Sequence, residues 1–380
     1  MFSFKKEKNN LPIVLFIPSL RCGGAEKVFI NLAEGLQQYN VKPIFFIADA
    51  SGPFLKNIEN KFSIINCNVK HVYQALPYLC SFIKRYNIPY LLSAMDHTNI
   101  ISILAQKLVF ANTKIFITIH SSLSQRLNNQ STNKERLLFK LTPFFYKYAN
   151  GIIAVSHGVA MDLVRHTKMP RNKISVIYNP VISTDIYKLS NESTQHPWLK
   201  DKEKIPIAIG LGRLVPEKNF SSLIKAIYRV NKVVKCRLIL LGDGEERENL
   251  IALIDRMGLN DLVSLPGYVS NPYAYIRRAS VFVLSSIREG LPTALIEALA
   301  LGVPVVSTNC PNGPAEILAN GRYGILVPVD DIEKMSASII EILTKRMNFF
   351  IPKDWIEQFT IDKVTQSYLK LMGIDYYKTY

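Results

Sequence analysis

The sequence contains no long uninterrupted apolar run, although nearly half of its residues are hydrophobic. Of 380 residues, 48% are hydrophobic and 20% are charged, which is typical of folded domains and excludes a disordered or collagen-like chain. A membrane-spanning helix needs about 20 consecutive apolar residues, and no stretch reaches that length. The run Leu11–Leu20 follows three lysines but contains Pro12 and Pro18, so it favours a buried first strand over a secretion signal. We therefore expect a cytoplasmic protein that contacts a membrane only peripherally, on the inner face of the cytoplasmic membrane.

Cysteine is scarce and scattered. The five cysteines form no C-x-x-C pair and no cluster with histidine, so neither a structural metal site nor a disulfide framework is indicated. Buried free thiols in a reducing compartment are the expectation.

Acidic residues are fewer than basic ones, and the deficit is uneven. The chain holds 46 Lys and Arg against 30 Asp and Glu, a net charge of +16. Residues 1–190 hold 23 basic and 9 acidic residues, a difference of +14, whereas residues 191–380 hold 23 and 21, a difference of +2. Such an excess of positive charge indicates an anionic partner. Because the excess lies in residues 1–190, we expect this partner to bind the first half of the chain.

Short β-branched runs alternate with longer amphipathic stretches along the whole chain. The runs are continuous rather than alternating, as in parallel strands covered on both faces. At about 150 residues per domain, the length indicates two doubly wound α/β domains facing each other across a cleft. We place the first at residues 1–182, a polar linker at 183–204, the second at 205–355, and a terminal segment with one helix at 356–380.

Ligands of open α/β sheets bind in the loops that follow the strands, and three such loops carry unusual residues. Gly23 and Gly24 follow the first strand, where paired glycines allow positive φ and a close approach to an anion; an ordinary turn is the alternative. Arg213 and Lys218 follow the first strand of the second domain and suit a pyrophosphate, unless they are two solvated surface cations.

The third loop carries two carboxylates eight residues apart. Glu289 is expected in the loop itself, and Glu297 two turns along an otherwise apolar helix. A buried carboxylate needs a hydrogen-bonding partner, and a ribose diol would supply two hydroxyls to Glu297. The alternative is that Glu297 lies on a solvent-exposed edge of the helix.

These residues together resemble the retaining glycosyltransferases of family 4, which have the two-domain GT-B fold. The resemblance rests on the E-x7-E of Glu289 and Glu297, the GR-x4-K of Arg213 and Lys218, and the Gly-Gly-Ala-Glu loop, and it covers essentially the whole chain. It implies that the second domain binds a nucleotide sugar, and that the terminal helix crosses back onto the first domain.

The resemblance also implies individual roles for donor-site residues. Arg213 and Lys218 would hold the donor diphosphate, Glu289 would contact sugar hydroxyls, and Glu297 would contact the ribose diol. The donor site would also include three residues between the two glutamates: Gly290, Leu291 and Thr293.

In the first domain, the same resemblance assigns Gly23 and Gly24 to the donor phosphate and sugar. His120 ends a strand where the family often has a histidine beside the donor sugar, although a lone histidine is more often structural. The catalytic set expected from the resemblance is therefore Glu289, His120, Arg213 and Lys218.

No D-x-D motif is present to hold a divalent metal, so we expect no metal and no cofactor, with the two cations neutralising the leaving group. The segment Asn309–Ile317 resembles that of hexose and N-acetylhexosamine transferases that build bacterial surface glycans, which points to a UDP-sugar. The alternatives are a GDP-mannose-dependent mannosyltransferase or glycogen-type synthase of the same fold, a non-catalytic glycan-binding protein, and a nucleotide-sugar epimerase or dehydrogenase. The last is disfavoured because Val215 replaces the third glycine of G-x-G-x-x-G.

Residues 126–147 combine five basic residues with eight large apolar ones, three of them phenylalanines. A basic-aromatic amphipathic segment suits an anionic membrane surface, and a core helix with a solvated basic edge is the alternative. If the segment binds the membrane, the expected acceptor is a lipid-pyrophosphate-linked glycan at the inner membrane surface. Nucleic acid is not expected, because no nucleic-acid-binding motif is present.

Overall fold

The computed structural model describes residues 11–21, 23–124, 141–200, 205–345, 347 and 349–377. The chain divides into two units, one formed by Met1–Val181 with Phe359–Tyr380 and the other by Ile182–Gln358. Each unit is built on one parallel sheet.

The first unit contains a seven-stranded parallel sheet in the order β3-β2-β1-β4-β5-β6-β7. Its continuous apolar runs are fully buried, as in β1, where Ile13 through Ile17 are at most 1% exposed. The strands are β1 (Leu11–Ser19), β2 (Val41–Asp49), β3 (Ser63–Asn66), β4 (Tyr90–Ala94), β5 (Lys114–Ile119), β6 (Gly151–Ala154) and β7 (Ile174–Val176).

Helices connect these strands. They are α1 (Gly24–Gln37), α2 (Leu55–Ile58), α3 (Leu76–Tyr86), α4 (Asp96–Leu108) and α5 (His157–Thr167), with a further helical segment at 141–146. Parallel strands require such crossovers, and the order of the strands is that of a doubly wound sheet.

The second unit contains a six-stranded parallel sheet in the order β10-β9-β8-β11-β12-β13. Its strands are β8 (Ile207–Leu211), β9 (Arg237–Leu241), β10 (Val263–Gly267), β11 (Val281–Leu284), β12 (Val305–Thr308) and β13 (Ile325–Val327).

The helices of the second unit cover the sheet with apolar faces. In the helix that follows β8, Phe220, Leu223, Ile224 and Ile227 recur at helical spacing and are all buried. The described helices, numbered in chain order from the first unit, are α6 (Ile186–Ser190), α7 (Phe220–Val230), α8 (Arg247–Arg256), α9 (Tyr273–Ile276), α10 (Thr293–Ala300), α11 (Pro314–Ile317), α12 (Ile332–Lys345) and α13 (Lys353–Glu357).

Two doubly wound, parallel-sheet α/β domains were predicted, and this fold class is confirmed. In the second sheet, β8 lies between β9 and β11, so the loops that follow β8 and β11 depart to opposite sides of the sheet. This is the switch point at which doubly wound sheets bind ligands. Arg213 and Lys218 follow β8, and Glu289 follows β11.

The last helix, α14 (Ile361–Met372), packs against α1 in the first unit. Val364, Tyr368 and Leu369 belong to the same buried core as the residues of β1 and α1. The contact is tight at Gly35, where a Cβ atom would lie 2.0 Å from Oγ1 of Thr365. The hydroxyl of Tyr39 donates to Oδ1 of Asp362 at 2.7 Å.

Residues 183–200, assigned to a linker from their polarity, pack onto the second unit. Arg278 donates to the carbonyl of Ser190 at 3.1 Å, and Asn271 donates to the carbonyl of Leu189 at 2.9 Å. Polar side chains hold this stretch, which is why its composition resembles that of an exposed linker.

Four cysteines lie among the described residues, and all are free thiols. Burial raises the pKa of Cys67 and of Cys236 to about 12, so both remain unreactive thiols at neutral pH. Cys22 lies outside the described residues.

Candidate functional site

In the second unit, the loops after β8 and β11 are fastened to each other by hydrogen bonds. Ser285 Oγ donates to the carbonyl of Lys218 at 2.7 Å, and the backbone N–H of Ile287 donates to the carbonyl of Glu217 at 2.9 Å. The two loops that flank the switch point therefore form one structure, although more than 60 residues separate them.

Lys218 and Glu289 meet where these loops join. Nζ of Lys218 lies 2.6 Å from Oε1 of Glu289, and the two side chains are 23% and 12% exposed. Ser286 Oγ donates to the same oxygen at 2.7 Å. A cation and a carboxylate, each still reachable from solvent, thus stand side by side with fixed positions.

A second ion pair lies beside the first, between Arg288 and Glu217. Burial would raise the pKa of Glu217, but its own backbone N–H and the guanidinium groups of Arg288 and Arg213 outweigh burial and lower it. Glu217 is therefore ionised at neutral pH. Arg213 is exposed, and its effect on Glu217 places its charge near the same loop.

Two glycines, Gly242 and Gly244, allow the loop after β9 to pack against the loop after β8. At Gly242, where φ is +134°, a Cβ atom would lie 1.9 Å from the carbonyl oxygen of Gly212; at Gly244, it would lie 2.3 Å from that of Leu214. These glycines were missed from the sequence. The signal that could have found them is the Gly242-Asp243-Gly244 triplet directly after a strand.

Glu297 lies on α10 and is 1% exposed. The hydroxyl of Tyr273, at the start of α9, donates to Oε1 of Glu297 at 3.3 Å. A partner for this buried carboxylate was expected, and Tyr273 is a protein partner that the sequence did not reveal. Gly290, Leu291 and Thr293 occupy the turn and the helix start between the two glutamates, as their spacing predicts.

The segment Asn309–Ile317 follows β12 and packs against this turn. Gly313, with φ of +89°, leaves no room for a Cβ atom, which would lie 2.6 Å from Cδ of Pro292. Burial, reinforced by the nearby Glu289 carboxylate, raises the pKa of Cys310 to about 12. The loops after β8, β11 and β12 therefore converge.

In the first unit, Gly23 and Gly24 precede and begin α1, but neither has positive φ. The positive φ that glycine allows is therefore not used at either position. A Cβ atom at Gly23 would lie 2.0 Å from Oε2 of the buried Glu26, so a larger residue there would displace the end of that side chain. A Cβ atom at Gly24 would meet nothing within 4 Å.

His120 directly follows β5 and is half-buried. Its Nε2 atom lies 2.9 Å from Oγ1 of Thr118, and its ring is 6.1 Å from that of Phe29 on α1. The histidine therefore lies at the carboxyl edge of the first sheet, as the glycines do.

Within the described ranges, no group of three metal-ligating side chains is found. Across those same ranges, no helix combines the length and the apolar character needed to cross a bilayer. The predicted segment 126–147 falls largely outside the described residues, which resume at Leu141. Tyr146, counted in that segment, is fully buried.

Comparison with known proteins identifies the family. The model of Glycosyltransferase Family 4 matches residues 22–184, and that of Glycosyl transferases group 1 matches residues 191–358. An uncharacterized glycosyltransferase of Methanocaldococcus jannaschii is 31% identical over 300 residues, which cover 69% of this chain and 72% of the relative. The chain belongs to glycosyltransferase family 4.

Two further similarities bear on this glycosyltransferase. A Campylobacter jejuni protein named N-acetylgalactosamine-N,N'-diacetylbacillosaminyl-diphospho-undecaprenol 4-alpha-N-acetylgalactosaminyltransferase is 28% identical over 338 residues, 84% of this chain and 87% of that protein. The structure of Anabaena HepE in complex with UDP has a TM-score of 0.71 at 18% identity and covers 96% of both chains. The latter supports the GT-B fold alone.

Proposed function

We propose that this glycosyltransferase moves a hexose or N-acetylhexosamine from a UDP-sugar to a lipid-pyrophosphate-linked glycan, with retention of anomeric configuration. The observation that carries the proposal is the contact of Lys218 with Glu289 at the switch point of the second sheet. A nucleoside diphosphate needs cations, and a sugar needs hydrogen-bond acceptors; these two side chains provide one of each at adjacent positions.

The proposed chemistry is a front-face displacement. The bond between the anomeric carbon and the phosphate oxygen breaks, the acceptor oxygen bonds to the same face, and the acceptor proton passes to the departing phosphate. Lys218 and Arg213 offset the charge that develops on the diphosphate. Glu289 orients the sugar through its hydroxyls and does not become covalently bound.

The uridine nucleotide and the lipid-linked acceptor are supported by relatives. The C. jejuni relative is named for N-acetylgalactosamine transfer to a diphospho-undecaprenol-linked acceptor, and Anabaena HepE has been determined with UDP. The segment Asn309–Ile317 supports a UDP-sugar through its resemblance to hexose and N-acetylhexosamine transferases, and it lies against the turn that follows Glu289. A GDP-mannose donor is the alternative within the same fold.

A donor screen tests the proposal. The purified protein is incubated with UDP-sugars and GDP-mannose, and hydrolysis or transfer is followed by release of the nucleoside diphosphate. We expect turnover with a UDP-hexose or UDP-N-acetylhexosamine, an α-configured product by NMR from an α-configured donor, and no loss of rate in EDTA. Turnover with GDP-mannose alone would overturn the UDP-sugar donor, and an inverted product would overturn the retaining mechanism. EDTA sensitivity would overturn the metal-independent mechanism.

We also propose that the first unit docks on an anionic membrane surface through a basic-aromatic patch. The patch consists of Lys107, Leu108, Phe110, Phe144, Lys147 and Tyr148, all of which are exposed. Nζ of Lys107 lies 5.1 Å from the centre of the Tyr148 ring, and Nζ of Lys147 lies 4.5 Å from that of Phe144. The first contact joins the end of α4 to residues 141–148, and the second lies within that stretch.

Composition is what suits this patch to lipid. Phe110 is 92% exposed, and exposed aromatic rings beside lysines match the interfacial zone of an anionic bilayer. The excess of +14 in residues 1–190 has the same sign. Each lysine near such a surface contributes about 1 kcal/mol.

Vesicle sedimentation tests the patch. We expect binding to vesicles that contain anionic phospholipid, weaker binding in high salt, and a loss of about tenfold or more in a Lys107→Glu, Lys147→Glu double variant. Phe350→Ser is a matched control, since Phe350 is also highly exposed but lies in the second unit. Binding that depends on neither salt concentration nor lipid charge would refute the proposal that this patch docks on an anionic membrane.

A further inference from the structure

His120 is tied to a buried polar network that begins at Thr118. Thr118 is fully buried on β5, and its Oγ1 atom contacts two groups: the carbonyl oxygen of Ser93 on β4 at 2.9 Å and Nε2 of His120 at 2.9 Å. β4 and β5 are adjacent parallel strands, so the sheet itself fixes the distance between Thr118 and Ser93.

The direction of these two hydrogen bonds follows from elementary chemistry. A carbonyl oxygen can only accept, so the bond between Thr118 and Ser93 uses the single hydrogen of the threonine hydroxyl. Thr118 Oγ1 is then an acceptor toward His120, and Nε2 of the imidazole must carry a hydrogen. In a neutral imidazole, Nδ1 then bears the lone pair.

The rest of the network keeps this arrangement rigid. Asn99 on α4 donates to the carbonyl of Thr118 at 3.1 Å and accepts from Ser93 Oγ at 2.7 Å. Asn99 also contacts the hydroxyl of Tyr146 at 3.3 Å, and that hydroxyl donates to Oδ1 of Asp96 at 2.6 Å. All of these side chains are at most 5% exposed, and satisfied buried networks of this kind hold one geometry.

We propose that Thr118 is a positioning residue that holds the His120 imidazole in its Nε2–H tautomer, so that Nδ1 is its hydrogen-bond acceptor during sugar transfer. The role of His120 in transfer rests on the proposed function, but the tautomer does not. Thr118 does not touch substrate; it acts through the imidazole.

The first test reads the tautomer directly on the protein without substrate. Long-range proton–nitrogen NMR spectra of protein labelled with ¹⁵N in its histidine rings distinguish the two tautomers, and a His120→Gln variant assigns the signal among the six histidines. We expect the Nε2–H pattern in the wild type and its loss or mixing in Thr118→Val. An Nδ1–H pattern in the wild type would overturn the proposal, whether or not the protein transfers sugar.

The second test is kinetic and uses three variants. We expect Thr118→Val to lower kcat about tenfold with little change in the KM for the nucleotide sugar, and Thr118→Ser to stay within about twofold, because serine retains the hydroxyl. Thr113→Val is the matched control: Thr113 is buried near the start of β5, and its hydroxyl donates to the carbonyl of Ile88. We expect normal kcat in that control.

Two kinetic results would contradict the proposal. The first is a Thr118→Val variant with full kcat and unchanged ring signals. The second is a Thr118→Ser variant as slow as Thr118→Val, which would assign the effect to the lost methyl group. If the wild type shows no transfer with any nucleotide sugar, the proposed function fails while the tautomer measurement still decides the Thr118–His120 relationship.

Discussion

Nζ of Lys218 and Oε1 of Glu289 are 2.6 Å apart, joined across two loops that follow neighbouring strands. Charge-assisted contacts of this kind are stronger than neutral ones, so each side chain holds the other in place. A ligand with a diphosphate and hydroxyls would meet both groups already positioned.

Replacing Glu289 by Gln keeps the shape of the side chain and removes its charge. We expect kcat to fall about tenfold or more, because hydrogen bonds to a charged group contribute about 1.5–3 kcal/mol. Steady-state kinetics with the identified donor would measure it. Glu333→Gln is the control, since Glu333 also pairs with a cation but is 77% exposed; a Glu289→Gln enzyme as active as this control would exclude the assigned role.

Replacing Lys218 by Gln should weaken the binding of a nucleoside diphosphate. The loss of a partly buried cation predicts an increase in the dissociation constant of about tenfold or more, measurable by titration calorimetry with UDP. Lys345→Gln removes a comparable but exposed partner of Glu341 and should leave UDP binding unchanged. Equal affinities in the two variants would count against a phosphate role for Lys218.

Gly242 is predicted to be irreplaceable by alanine. Its φ of +134° and the 1.9 Å approach of a Cβ atom to the carbonyl of Gly212 should lower the free energy of unfolding by about 2 kcal/mol or more. Gly258 also has positive φ but open space around it, so Gly258→Ala should cost only about 1 kcal/mol. Urea unfolding of both variants compares the two costs, and equal values would show that the close approach is relieved cheaply.

Stability should decrease below neutral pH because of His196. Burial lowers the pKa of His196, and the Arg237 guanidinium lowers it further. The imidazole of the unfolded chain titrates near pH 6.5, so as the pH falls below about 6.5 the unfolded chain takes up a proton that the folded chain resists. The free energy of unfolding then falls with pH, until the folded imidazole is protonated as well.

His196→Asn isolates this effect. Nδ1 of His196 accepts from the N–H of Trp198 at 3.3 Å, and Nε2 lies 3.0 Å from Ser264 Oγ; asparagine offers an acceptor and a donor but does not titrate. We expect the drop in Tm between about pH 7.5 and 5.5 to be smaller in the variant than in the wild type. Parallel Tm curves for the two proteins would contradict the prediction.

The strands with long β-branched runs were predictable from the sequence, and the short polar ones were not. The runs Arg237–Leu241 and Val281–Leu284 form β9 and β11, as expected because buried parallel strands leave a continuous apolar signal. β3 and β7 give no such signal: they have four and three residues and lie at the two edges of the first sheet, where little apolar burial is required.

Helix α4 has a weak sequence signal for a different reason. Its buried face contains Asp96, Asn99 and Ser102, so the polar network that serves Thr118 interrupts the apolar periodicity on which the prediction depends. At the site, the residues that follow strands could be chosen from the sequence. Their pairings could not, because the contact between Lys218 and Glu289 depends on the order of strands in the sheet rather than on spacing along the chain.

The packing of α14 on α1 has a consequence for folding during synthesis on the ribosome. The first unit contains residues from both ends of its sequence, with Phe359–Tyr380 joined to Met1–Val181, whereas the second unit is continuous. During synthesis, the second unit can therefore finish folding before the first, even though it is translated later than most of the first. Until residues 361–372 emerge, the apolar face of α1 has no permanent cover, and the nascent first unit is exposed to chaperones and proteases for that interval.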